Sequence, residues 1–162
     1  MKHIEKEEIP RLILCIIACQ GAGLLGSVFT QMSVFTWYPT LVKPWFTPPP
    51  GIIPNVWIVL FTLMGVSLFL AWRAGLTLPE FRGAAFAFLA QYVFNILWSA
   101  AFFGLQSPMA GLVVIVLLWI LILLTIYRFY PLSREAAMLL VPYIAWVSFA
   151  AFLNYSLLLL NP

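Results

Sequence analysis

In a chain of 162 residues, 64% are apolar and 8% charged, against about 45–50% and about 25% in a soluble domain. Mean hydropathy is +1.06, so too little polar surface exists to cover a water-facing body, and the apolar excess must face a bilayer. The net charge of +3 arises without any basic run, so no nucleic-acid partner is expected.

The opening Met1-Lys2-His3-Ile4-Glu5-Lys6-Glu7-Glu8 mixes acids with bases, unlike a transit peptide, and the apolar run behind it reads as a retained first span. Charge then punctuates the chain: 12–42, 44–72, 83–127 and 136–162 contain no Lys, Arg, Asp or Glu. A span takes about 20 residues, so two of these stretches must divide. The first breaks after Met32, because Pro39, Pro44 and the Pro48-Pro49-Pro50-Gly51 run cannot continue a helix. The third breaks at Gly104-Leu105-Gln106-Ser107-Pro108, which closes one helix and starts another. Five spans result, at about 10–32, 54–73, 82–104, 109–128 and 135–159, with a lid-like loop at about 33–53. The fold class is therefore an all-α integral membrane protein forming one five-helix domain.

An odd span count puts Lys2, Lys6, Arg11, Arg73, Arg82, Arg128 and Arg134 on one side of the membrane and Lys43 on the other. That asymmetry predicts a cytoplasmic amino terminus in a prokaryotic cell.

All five acids lie in the tail or at span ends, and the lone histidine is His3. Coupled transport, paired-carboxylate hydrolysis and a Ser-His-Asp triad all lack their chemistry here. Cys15 and Cys19 alone make no zinc site, and no metal is expected. What remains at membrane depth is aromatic and amidic. Gln91, Asn95 and Trp98 share one stripe of the third span, Trp57 and Phe61 one of the second, and Tyr143, Trp146, Ala150 and Asn154 one of the fifth. Such stripes either hydrogen-bond between helices or converge on a pocket for a flat apolar guest. Gly83, Ala87 and Ala90 form a small-residue pattern on the third span that permits close helix approach, within the bundle or between copies.

At these residues the sequence resembles the translocator protein family, the tryptophan-rich sensory proteins also called peripheral benzodiazepine receptors. The matching segments are Trp37-Tyr38, Leu41-Val42-Lys43-Pro44-Trp45 running into Thr47-Pro48-Pro49, Val56-Trp57, Gln91 through Ser99 with Phe102-Phe103, and Val141-Pro142-Tyr143-Ile144-Ala145-Trp146 ending in Leu153-Asn154. Together they run nearly the whole chain in family order. The resemblance implies a five-helix bundle whose first loop covers a cavity. It implies ligands such as protoporphyrin, sterol-like molecules and benzodiazepine-site drugs, with no cofactor required.

Matched by position, the pocket residues are Tyr38, Pro48, Ile53, Trp57, Phe61, Gln91, Asn95, Trp98, Trp146 and Ala150. Bacterial relatives associate the tryptophans at Trp57 and Trp146 with light- and oxygen-dependent protoporphyrin degradation, and they dimerise through the third helix, where Gly83, Ala87 and Ala90 lie. Two positions depart from the family pattern. Phe46 stands where several relatives carry Trp, and the basic residue that follows Leu-Asn-Tyr in mammalian members is missing after Tyr155. Three functions stay open: a receptor or sensor for porphyrins and other flat apolar molecules, a photo-oxidative enzyme acting through Trp57 and Trp146, and a passive carrier of porphyrin or lipid.

Overall fold

The computed structural model describes residues 5–75 and 79–162. Lys2 and His3 lie outside them. Among the described residues, five helical segments are long and apolar enough to cross a membrane. Helix α1 (Ile9–Ser33) follows a short 3-10 turn, α2 is Ile52–Gly75, α3 is Glu80–Ser99, α4 is Pro108–Phe129, and the fifth span comprises α5 (Arg134–Leu139) and α6 (Val141–Leu160). In hydrocarbon each backbone amide must be paired within its own segment, which makes long apolar helices the stable solution. This is a multi-pass membrane protein.

The local chemistry explains the ends. Ser107 caps α4 by accepting the Ala110 N–H at 3.2 Å, with Pro108 filling a first-turn position that needs no donor. Ser133 caps α5 in the same way, accepting from Ala136 at 3.2 Å. The fifth span, expected as one helix, is interrupted at Leu140. Pro142 supplies no N–H and its ring crowds the preceding turn, so α5 ends and α6 restarts with proline in its first turn. Beyond Ser99 the third span loosens into a π turn over Ala100–Gly104, with the Leu105 N–H reaching Ala100 O at 2.9 Å. Such turns are frequent at functional sites.

The spans close a ring: α1 packs on α2 and α3, α3 on α4, α4 on α6, and α5 on α2. Where α2 faces α3 and α6 the backbones meet only sparsely, and large rings bridge the gap. Elsewhere small residues let the helices touch. Ala84 and Ala87 are buried, and a methyl group placed on Gly83 would lie 3.0 Å from Arg128 Nη1. Two of the three residues in the small-residue pattern of α3 thus serve packing inside the chain, leaving Ala90 half-buried. Glu8 pairs with Arg73 at 2.9 Å, placing the start of α1 and the end of α2 at one end of the bundle. Val42 and Asn161 meet at the other end, as an odd number of spans requires.

Candidate functional site

The residues between α2, α3 and α6 form one aromatic cluster with an amide stripe behind it. Trp57 stacks on Phe61, one turn along α2, with ring centroids 5.4 Å apart. Its other neighbours come from different spans: Trp98 of α3 at 6.4 Å and Tyr143 of α6 at 6.3 Å, edge-on. Trp98 stacks on Phe102 at 5.7 Å, and Phe102 meets Phe103 at 4.8 Å across the π turn. The register gained in that turn brings both phenylalanines under the first loop, where Tyr38 lies 6.3 Å from Phe102 and 5.7 Å from Phe103. Burial pushes the Tyr38 hydroxyl above its ordinary pKa, so it stays a neutral donor and acceptor in the physiological range.

Polar groups are few and most are paired. Asn95 Nδ2 donates to the Tyr143 hydroxyl at 2.8 Å in a fully buried contact. Trp98 Nε1 donates to Asn154 Oδ1 at 3.3 Å, and Asn154 Nδ2 donates to Pro108 O at 2.7 Å. These bonds tie α3, α4 and α6 together at the aromatic cluster. Among the described residues, three buried side-chain polar atoms have no partner: Nε2 and Oε1 of Gln91, and Nε1 of Trp146. An orphaned buried polar group costs about 1–3 kcal/mol, and these two groups lie on α3 and α6, the helices that carry Trp98 and Tyr143.

Of the ten residues expected at a pocket, the structure joins Trp57, Phe61 and Trp98 by direct ring contact, and links Asn95 to them through Tyr143 and Tyr38 through Phe102. Trp146 and Ala150 pack on the same core, and Trp146 also meets Phe149 at 5.4 Å. Gln91 is 1% exposed on the α3 stripe. Pro48 and Ile53 are half-buried where the loop enters α2. Residues outside that set also join the cluster, among them Tyr143, Phe102, Phe103, Asn154 and Phe46, the last stacked on Phe152 at 5.2 Å. Spacing signals Tyr143 and Asn154, both on the α6 stripe with Trp146. Phe102 lies four residues beyond Trp98 and continues the α3 stripe, whereas Phe46, in a loop, carries no periodic signal.

A groove of about 300 Å3 lies on the outer side of the gap between α2 and α6, lined by Asn55, Val56, Val59, Leu60, Leu63 and Pro142. Its wall includes Val56, which precedes Trp57 on α2, and Pro142, which precedes Tyr143 on α6.

Comparison with known proteins places the chain. The TspO/MBR family model matches residues 15–160. The chain is similar to the tryptophan-rich protein TspO of Chlorobaculum tepidum, 47% identical over 96% of this chain and 99% of that protein. It is 44% identical to the tryptophan-rich protein TspO of Archaeoglobus fulgidus, over 94% and 98% of the two chains. It is 33% identical to the translocator protein of Homo sapiens, over 81% and 78%. With five apolar spans, a tryptophan-rich core and matches of this length, the chain belongs to the TspO/MBR family of membrane sensor and receptor proteins.

Proposed function

We propose that this protein is a membrane receptor for porphyrins and other flat apolar molecules, which enter between the faces of Trp57 and Trp98. One observation carries the reading: rings from α2, α3 and α6 meet where α2 has sparse backbone contact with the other two helices, which also carry the orphaned polar atoms of Gln91 and Trp146. Side chains can part there without breaking helix–helix backbone packing. Ring stacking and apolar burial supply affinity, while Gln91, Asn95 and the Trp146 N–H orient a carbonyl or carboxylate.

The test is a titration with protoporphyrin in the dark, on protein in lipid nanodiscs, following the Soret band and tryptophan quenching. Binding at micromolar concentration or tighter, about −8 kcal/mol or better, is the expected result. Trp57→Phe keeps a ring to stack on and is expected to weaken binding less than about fivefold, whereas Trp146→Phe also removes the orienting N–H and is expected to weaken it about tenfold or more. Absence of saturable binding to the parent overturns the reading.

Adjacent oxidisable rings at Trp57, Trp98 and Tyr143 favour a second reading, light- and oxygen-dependent degradation of the bound porphyrin. Illumination of the same samples decides it: degradation retained in the Trp57→Phe, Trp146→Phe double variant removes any chemical role for the two indoles. A carrier role predicts porphyrin flux into proteoliposomes above that into empty ones.

The positive-inside rule, applied to the end carrying Arg11, Arg73, Arg82, Arg128 and Arg134, supports a cytoplasmic amino terminus in a prokaryotic membrane. A homodimer through α3 would meet at Ala90 with Phe86, Leu89 and Val93, the apolar residues that this helix turns outward.

A further inference from the structure

The first loop rests on the bundle through aromatic and apolar packing and is hydrogen-bonded to it at Val42, and we infer that Asn161 is a positioning residue whose amide latches this loop over the aromatic cluster and sets how fast a bound ligand leaves. The inference rests on the reading that the ligand sits beneath the loop.

The geometry is that of a strand neighbour supplied by a side chain. The Val42 N–H donates to Asn161 Oδ1 at 2.9 Å, and Asn161 Nδ2 donates to Val42 O at 3.0 Å, so both backbone groups of Val42 are satisfied at once. The amide is aimed from the other side, because the same Nδ2 also donates to Leu157 O at 2.8 Å in the last turn of α6. Among the described residues, the other hydrogen bond between this region and a remote segment is at its very start, where Oγ of Ser33, the last residue of α1, donates to Phe103 O at 2.7 Å. The remaining ties are apolar and ring contacts, which hold distance better than direction: Trp37 and Tyr38 on Phe102, Tyr38 on Phe103, Phe46 on Phe149 and Phe152, and Leu41 on the same cluster.

The segment around the latch is stiff. Lys43 Nζ donates to Leu41 O at 3.2 Å and lies 4.8 Å from the centre of the Tyr38 ring, while Pro39, Pro44 and Pro48 fix their backbone angles. A pull at Val42 is therefore passed to Tyr38 on one side and Phe46 on the other. Val42 is exposed, so water replaces the latch bonds when they break. The latch is strong enough to select a position and weak enough to release it.

The test uses the full chain in nanodiscs with a nitroxide on Trp45→Cys. Trp45 is 95% exposed, whereas Cys15 and Cys19 are buried and escape labelling. Asn161→Ala is expected to sharpen the spectrum, reporting a looser loop, with the melting temperature nearly unchanged. Val42→Pro removes the N–H that Asn161 accepts, at a site where Leu41 already holds the extended backbone that proline demands of its predecessor (φ −71, ψ 140). It too is expected to loosen the loop, and adding it to Asn161→Ala is expected to change nothing further. An unchanged spectrum in Asn161→Ala, or additive effects in the double variant, overturns the latch. Protoporphyrin release from Asn161→Ala is expected to quicken about tenfold. A loosened loop with unaltered release keeps the latch and overturns the placement of the ligand beneath it.

Discussion

Replacing Gly65 with alanine is expected to destabilise the bundle by about 3 kcal/mol, at the upper end of the cost of overpacking. The reason is what the new methyl group would meet. It would lie 2.5 Å from Ile16 Cα, 2.9 Å from Ile16 N and 3.0 Å from Cys15 O, all backbone atoms of α1 that cannot step aside without shifting the helix. In a membrane, helices associate through such close packing, because lipid tails are as apolar as the side chains. Truncating Ile16 to alanine cannot relieve the clash, since it leaves the Ile16 backbone in place. Gly23 behaves differently: a methyl group there would sit 2.8 Å from Cε2 of the Phe61 ring, and a smaller residue at Phe61 is expected to restore stability. Gly51 has nothing within 4 Å of a new methyl group, so Gly51→Ala should stay within about 0.5 kcal/mol of the parent. Unfolding followed by circular dichroism in one detergent measures all of these, and a Gly65→Ala variant as stable as Gly51→Ala would rule out the α1–α2 crossing described above.

The sequence announces the five helices because the bilayer leaves an apolar stretch few alternatives, and charges and prolines mark where each stretch must leave it. The division of the fifth span is harder to read. Ser133 and Pro142 are both helix-start signals, but with continuous apolarity after Glu135 the demand for one long span hides the second start. The role of Gly83 and Ala87 was open between bundle and dimer, because a small residue permits close approach without naming the partner; burial of Ala87 and the guanidinium over Gly83 show a use inside the chain.

At the site, helical spacing groups side chains within a span, and the family resemblance brings the spans together. Neither shows that Tyr143 receives the Asn95 amide, that a π turn re-aims Phe102, or that Val42 pairs with Asn161. Each of these contacts joins groups remote in sequence through one specific rotamer or one local change of register. A 3.6-residue period carries no trace of such pairings. The Trp57 stack shows the same limit, because the stripes indicate convergence but not that Trp57 would meet Trp98 and Tyr143 at once.

Gln91→Met is expected to raise stability and lower ligand affinity together, and the opposite signs separate a binding role from a structural one. Gln91 is 1% exposed, with both polar side-chain atoms buried and without a partner in the chain. Folding removes this amide from water with no hydrogen bond in return, at a cost of about 1–3 kcal/mol. Methionine has similar length, no branching and good helix propensity, so it fills the same space without that cost. A gain of about 1–2 kcal/mol is expected for the ligand-free protein. Binding moves the other way if the amide serves the guest: loss of a buried hydrogen bond to a carboxylate or carbonyl group should weaken protoporphyrin binding about 30-fold, equivalent to about 2 kcal/mol. Thermal unfolding and the dark titration, run on the same nanodisc preparation, read the two effects separately. A less stable Gln91→Met would mean that the amide is bonded within the resting fold, and unchanged affinity in a stabilised variant would remove Gln91 from the site. A residue that weakens the empty protein and strengthens the occupied one gives the ligand a direct hold on the α3 stripe, where Asn95 links to α6 and Trp98 to the cluster beneath the first loop.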